Sequence, residues 1–131
     1  MSFHLLLINW LNNSLRYSTT EEIICGTYNG KKLYRKSYTV ISPAKNVDIN
    51  VDTIENIEQL VNVSIITGGD NAYFSNWSDG KNYWANQVSL DNNNNKIYVI
   101  KRTSYNTDSA NNANIYCTIE YTKSTDQTVA K

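Results

Sequence analysis

The chain has 131 residues, with 12 Lys+Arg against 12 Asp+Glu, enough for one hydrophobic core and too few for two. Hydrophobic residues at 40% and charged residues at 18% fit a folded domain and exclude the composition of a disordered chain. A formal net charge of zero removes the cationic field that draws proteins to nucleic acid or anionic membranes. Asn makes up roughly one residue in seven, part of which follows from AT-rich codons.

The opening run Phe3-His4-Leu5-Leu6-Leu7-Ile8-Asn9-Trp10-Leu11 has no basic residue before it and no small-residue cleavage site after it, so it is a poor signal peptide. It falls far short of the roughly 20 residues that cross a bilayer. It reads instead as a short element that packs on a neighbour or another subunit. His4 is the single histidine, which leaves no internal imidazole for a triad, a metal site or a proton shuttle.

From Glu22 onward, β-branched and aromatic residues come in short runs separated by Asn, Asp, Gly and Ser, the pattern of many short strands. Glu22–Tyr28 and Lys31–Ile41 flank Asn29-Gly30, which supplies the two positive-φ positions of a type I′ hairpin turn. Pro43 closes the second strand. Val47, Ile49 and Val51 alternate with Asp48, Asn50 and Asp52 as a third strand with one wet face. Beyond Thr53, an N-cap residue type, Ile54, Ile57, Leu60 and Val61 recur at near-helical spacing with Glu55 and Glu58 outward, and a short helix or irregular turn is expected.

Val61–Thr67 alternates again. Trp84, Asn86, Val88 and Leu90 fall on one side of a further strand, and Asp91–Asn95 is a polar turn. Lys96–Arg102 is apolar on both faces and Ile115–Tyr121 is the last clear strand, so these two should be central. No repeat appears. The expected fold is an all-β antiparallel sandwich of about seven or eight short strands, jelly-roll-like. Residues 1–16 form a lead segment, 17–126 the sandwich domain and 127–131 a tail. Ile23, Cys25, Ile97, Val99, Cys117 and Ile119 should be buried.

Cys25 and Cys117 lie in apolar stretches without a CxxC pair, and one remote His supplies too few ligands for zinc. Buried free thiols are the favoured reading, and a staple between the first and last core strands is the alternative. Asp91–Asn95 begins like a calcium loop, but Lys96 and Arg102 occupy the positions that need Gly and a bidentate Glu. An exposed turn is the better description. The interior acids show no motif for glycoside hydrolysis, with Asp70 and Asp79 the least unsuitable pair. No catalytic residue and no cofactor is expected. Three sequons, at Asn12, Asn62 and Asn76, carry no weight in so Asn-rich a chain.

One segment concentrates chemistry. Tyr73, Phe74, Trp77, Tyr83 and Trp84 are interleaved with Asn76, Asp79 and Asn82. Pyranose faces stack on aromatic rings while amides and carboxylates bond the hydroxyls, so these eight residues form the candidate ligand-binding set. The competing reading is that Trp77 and Trp84 anchor the core.

Two blocks carry a resemblance: Tyr17-Ser18-Thr19-Thr20-Glu21-Glu22 through the first hairpin to Arg35-Lys36, and Ile119-Glu120-Tyr121-Thr122-Lys123-Ser124-Thr125-Asp126. They resemble the opening and closing blocks of a C-terminal module on tail-fibre and baseplate-associated proteins of phages and prophages of low-GC Gram-positive bacteria. That pattern reads approximately YSTEE, a strand, W-x-x-GK-x-x-Y-x-K, and finally EYTKTTD. The departures are an extra Thr at Thr19-Thr20, Tyr28 in place of Trp, a hairpin loop one residue shorter, and Ser124.

The resemblance implies a virion tail component, folded in the bacterial cytoplasm. It further implies a homotrimer associated with other tail or baseplate proteins and used in adhesion to a host surface, and the aromatic segment makes a host cell-surface polysaccharide or teichoic-acid-like glycan the expected ligand. Neither nucleic-acid binding nor membrane insertion belongs to that expectation. A trimerising structural cap without a ligand is the alternative. The resemblance carries no catalytic or ligand-binding residue across.

Overall fold

A computed structural model of the chain describes residues 15–68, 72–73, 76–104 and 113–128. Among these the protein is all-β and antiparallel, a sandwich of two sheets. The strands are β1 (Ile23–Tyr28), β2 (Lys31–Val40), β3 (Asp48–Thr53), β4 (Ile57–Gly68), β5 (Ala72–Tyr73), β6 (Asn76–Ser78), β7 (Tyr83–Asp91), β8 (Lys96–Thr103) and β9 (Asn114–Lys123). One sheet has the order β1-β2-β9-β4-β5 and the other β3-β8-β7-β6. Strand β2 lies beside β9 and β3 beside β8, neighbours far apart in sequence. Strands β6, β7 and β8 instead follow one another as a plain meander. No helix long and apolar enough to cross a membrane occurs among the described residues.

The near-helical spacing after Thr53 does not produce a helix. Ile54 is buried, Asn56 takes a φ of 64°, and the chain then enters the twelve-residue strand β4. Asn tolerates the left-handed region that the turn requires, and the β-branched run that follows favours a strand. Two turns of apolar spacing were too short a signal to outweigh pairing in a sheet.

The chain divides into two compact units. The first comprises the described residues up to Ser37, with Asn56–Asn62 and the residues from Thr118 onward. Its hairpin has the expected register, Tyr28 opposite Lys31, with Asn29 at φ 50° and Gly30 at φ 78° in the turn. A bulge between Ile24 and Gly26 interrupts edge strand β1, which discourages pairing with another chain. Ile23, Cys25, Tyr34, Ile119 and Tyr121 are buried, and the rings of Tyr34 and Tyr121 stack with centroids 5.7 Å apart.

Charged groups tie this unit together. Arg35 meets Glu120 at 2.9 Å, both side chains largely shielded from solvent. Asn62 Nδ2 donates to Glu120 Oε1 at 2.9 Å and the Cys25 thiol to Oε2 at 3.3 Å. Glu22 accepts from Lys123 at 2.8 Å and from the Tyr121 hydroxyl, and the Tyr34 hydroxyl donates to Asp126. Arg35 also covers the Tyr17 ring at 4.3 Å and donates to the Arg16 carbonyl.

The second unit comprises Tyr38–Glu55 and Val63–Cys117. Strand β8 pairs with β3 and β7 and, as expected for a central strand, buries Ile97, Val99, Ile100, Lys101 and Thr103. Ile54, Ile115 and Cys117 are also buried in this unit. Tyr38 donates its hydroxyl to Asp52 at 2.7 Å. Strand β3 carries a bulge between Asn50 and Asp52, and Asn50 Nδ2 donates to the carbonyls of Asp52 and Ile97 beside it.

Both cysteines are buried free thiols. Burial, foremost among the causes, pushes each thiol up to about 11, so neither is a nucleophile near neutral pH.

Candidate carbohydrate-binding face

The alternation of strands sorts the candidate ligand residues. In β7, Leu90, Val88, Asn86 and Trp84 are opposite Ile97, Val99, Lys101 and Thr103, so they belong to the buried face as the sequence indicates. The intervening residues Tyr83, Ala85, Gln87 and Ser89 share the other face with Arg102, Ile100 and Tyr98 of β8. Asp48 and Asn50 of β3 are register partners of Ile100 and Tyr98 and join that open face. Adjacent residues of one strand thus diverge. Tyr83 is 43% exposed, whereas Trp84 is half-buried.

The remaining members of the set are dispersed. Tyr73 belongs to β5, whereas Asn76 and Trp77 belong to β6, with Trp77 the register partner of Trp84. Phe74 lies outside the described residues, as does Asp70 of the acid pair. Asp79 and Asn82 form the tight turn between β6 and β7. Asp79 Oδ1 accepts the backbone N–H groups of Lys81 at 2.9 Å and Asn82 at 2.7 Å. These bonds, that of Asn82 foremost, hold the Asp79 carboxyl below its ordinary value. Gly80, at φ 86°, supplies the left-handed residue within the turn. Asp79 therefore shapes the loop that leads into Tyr83.

Tyr83 itself is anchored through its backbone. Its N–H donates to Ser104 Oγ at 2.9 Å, and its carbonyl accepts from Thr103 Oγ1 and the Ser104 N–H, both at 3.1 Å. A ring on a fixed backbone loses little conformational freedom on meeting a flat ligand. Along the same face, Arg102 and Asp48 stand 3.7 Å apart with side chains 41% and 59% exposed, and Gln87 is exposed. Ile100 is buried at the centre of this polar surround. The face therefore offers an aromatic plane, an amide and both signs of charge on one sheet.

Arg102, Gln87 and Asp48 are the members of this face that sequence reasoning missed. The signal lay in the alternation already used to place Trp84, Asn86, Val88 and Leu90. Counting every second residue from Tyr83 gives the opposite face of the same strand.

Elsewhere, Asp91 is occupied within its own turn. It accepts from the backbone of Asn93 and Asn94 and from the Asn94 amide, as expected of an Asn-built hairpin tip. Groups of three or more metal-ligating side chains do not occur among the described residues. In comparisons with known proteins, no family model, curated protein or solved structure matches the chain.

Proposed function

We propose that the chain is a non-enzymatic adhesion module, the receptor-binding tip of a phage tail fibre, and that it holds a host cell-surface glycan on the open face of β3-β8-β7-β6. The observation that carries the binding reading is Tyr83, an exposed ring on an anchored backbone in line with Gln87, Arg102 and Asp48. Such a face stacks on the apolar side of a sugar and bonds its hydroxyls. Assignment to a phage tail, and with it the homotrimer and the tail or baseplate partners, rests on the two terminal sequence blocks.

A second reading has its own support. The residues of those blocks are bonded to one another: Tyr17 with Arg35, Arg35 with Glu120, Glu22 with Tyr121 and Lys123, and Tyr34 with Asp126. The recognisable part of the sequence is therefore architecture, which suits a structural cap as well as an adhesin. Glycan-array and host-wall polysaccharide binding by the full chain and by Tyr83→Ala separates the two. The adhesin binds, and loses roughly ten-fold in affinity with the ring. A folded chain that binds no glycan is the cap, and glycan binding indifferent to both Tyr83→Ala and Arg102→Ala moves the site off this face.

A further inference from the structure

The buried side of the β7 and β8 pair sets two reactive side chains opposite one another. Asn86 and Lys101 are direct register partners, between the Val88–Val99 and Trp84–Thr103 pairs. Lys101 is 0% exposed and Asn86 7% exposed. Among the described residues, neither the oxygen nor the nitrogen of the Asn86 amide has a hydrogen-bond partner. A buried amide left unbonded at both ends is rare in native proteins and calls for a chemical explanation.

Burial disfavours the ammonium form, and the Lys101 pKa is lowered for that reason. Desolvation shifts a lysine toward its neutral amine, which is the nucleophilic form. Cβ atoms of directly opposed residues in an antiparallel pair lie about 4.5 to 5.5 Å apart. The four-carbon lysine stem spans that gap when it folds back toward the partner strand. Burial also shields the amide from bulk water and so slows its hydrolysis.

We propose that Lys101 and Asn86 join in an intramolecular amide crosslink between Nζ and Cγ. The neutral amine adds to Asn86 Cγ and a proton passes from Nζ to Nδ2. The Cγ–Nδ2 bond then breaks and ammonia leaves. No electrons are exchanged with any other species and no co-reactant is consumed. The product ties β7 to β8 directly beneath the face that carries Tyr83 and Arg102, and it does so without a disulfide in a chain whose thiols are free. This inference stands apart from the glycan reading.

The test is the mass of the purified full chain, measured under denaturing conditions after circular dichroism has confirmed a strand-rich fold. The crosslinked chain is lighter than its sequence by about 17 Da, one ammonia, after allowance for removal of Met1. Trypsin then leaves the bond after Lys101 uncut and yields residues 82–96 joined to residues 97–102. The Asn86→Ala chain has its full mass and is cut normally. A folded wild-type chain at full mass overturns the proposal. A deficit that maps to residues 17–31 also overturns it, because succinimide formation at Asn29-Gly30 loses the same ammonia.

Discussion

Each unit holds an arginine–carboxylate pair, and the two pairs stand in opposite settings. In the first, Arg35 and Glu120 meet at 2.9 Å with side chains only 12% and 14% exposed, and Asn62 and Cys25 complete the carboxylate's bonding. In the second, Arg102 and Asp48 stand 3.7 Å apart on an open sheet face, with side chains 41% and 59% exposed. A shielded, fully bonded pair fixes the position of strands and has no capacity left for a ligand. A loose, wet pair contributes little to stability and can be rearranged by whatever lands on it. The difference separates the architecture of the molecule from its candidate chemistry.

The sharpest way to break this comparison is to remove one partner of the shielded pair. Arg35→Met leaves Glu120 without its cation and should destabilise the fold by about 3 kcal/mol, read as a lower urea midpoint. Arg102→Met should move that midpoint by less than about 1 kcal/mol. Equal losses would show that the two pairs do the same work.

Acid sharpens the comparison next. Burial raises the Glu120 carboxyl, but hydrogen bonds from Asn62, Cys25 and Arg35, with the charge of Arg35, outweigh it and hold the group below its ordinary value. A carboxyl depressed in the folded state contributes stability that is complete above its unfolded pKa and is lost as pH falls through the folded one. Urea midpoints should therefore decline below about pH 4, and Glu120→Gln should flatten that decline. A wild-type profile unchanged by Glu120→Gln would remove Glu120 as its source.

Tyr83→Ala tests the open face. It should leave the urea midpoint within about 1 kcal/mol of wild type, because the ring is half in solvent already, while weakening glycan binding as described above. A stability loss comparable to that of Arg35→Met would make Tyr83 a structural residue. The smallest effect belongs to the first turn. Gly30→Ala places a Cβ at φ 78° and should cost on the order of 1 kcal/mol, detectable as a drop of a few degrees in Tm.

Most of the strand positions were legible in the sequence because hairpin chemistry and alternation are local. Asn29-Gly30 gave the first turn, and the apolar blocks around Cys25, Val99 and Cys117 gave strands with buried residues at the expected positions. The segment after Thr53 was misleading because two turns of apolar spacing suit a helix and a strand alike. The candidate site was only half legible. The five rings are neighbours in sequence, but a strand sends successive side chains to opposite faces, so Tyr83 and Trp84 part company and Tyr83 acquires Gln87, Arg102 and Asp48 instead.

The sequence by itself determined the fold class, the first hairpin and part of the core, Ile23, Cys25, Ile97, Val99, Cys117 and Ile119, because each depends on propensities and periodicities that act over a few residues. Only the tertiary structure decided which charges meet. Arg35 with Glu120 and Glu22 with Lys123 are separated by most of the chain, and no local rule relates them. The same holds for Asn86 and Lys101, an unremarkable amide and an unremarkable amine until strand register places them opposite one another on a buried face.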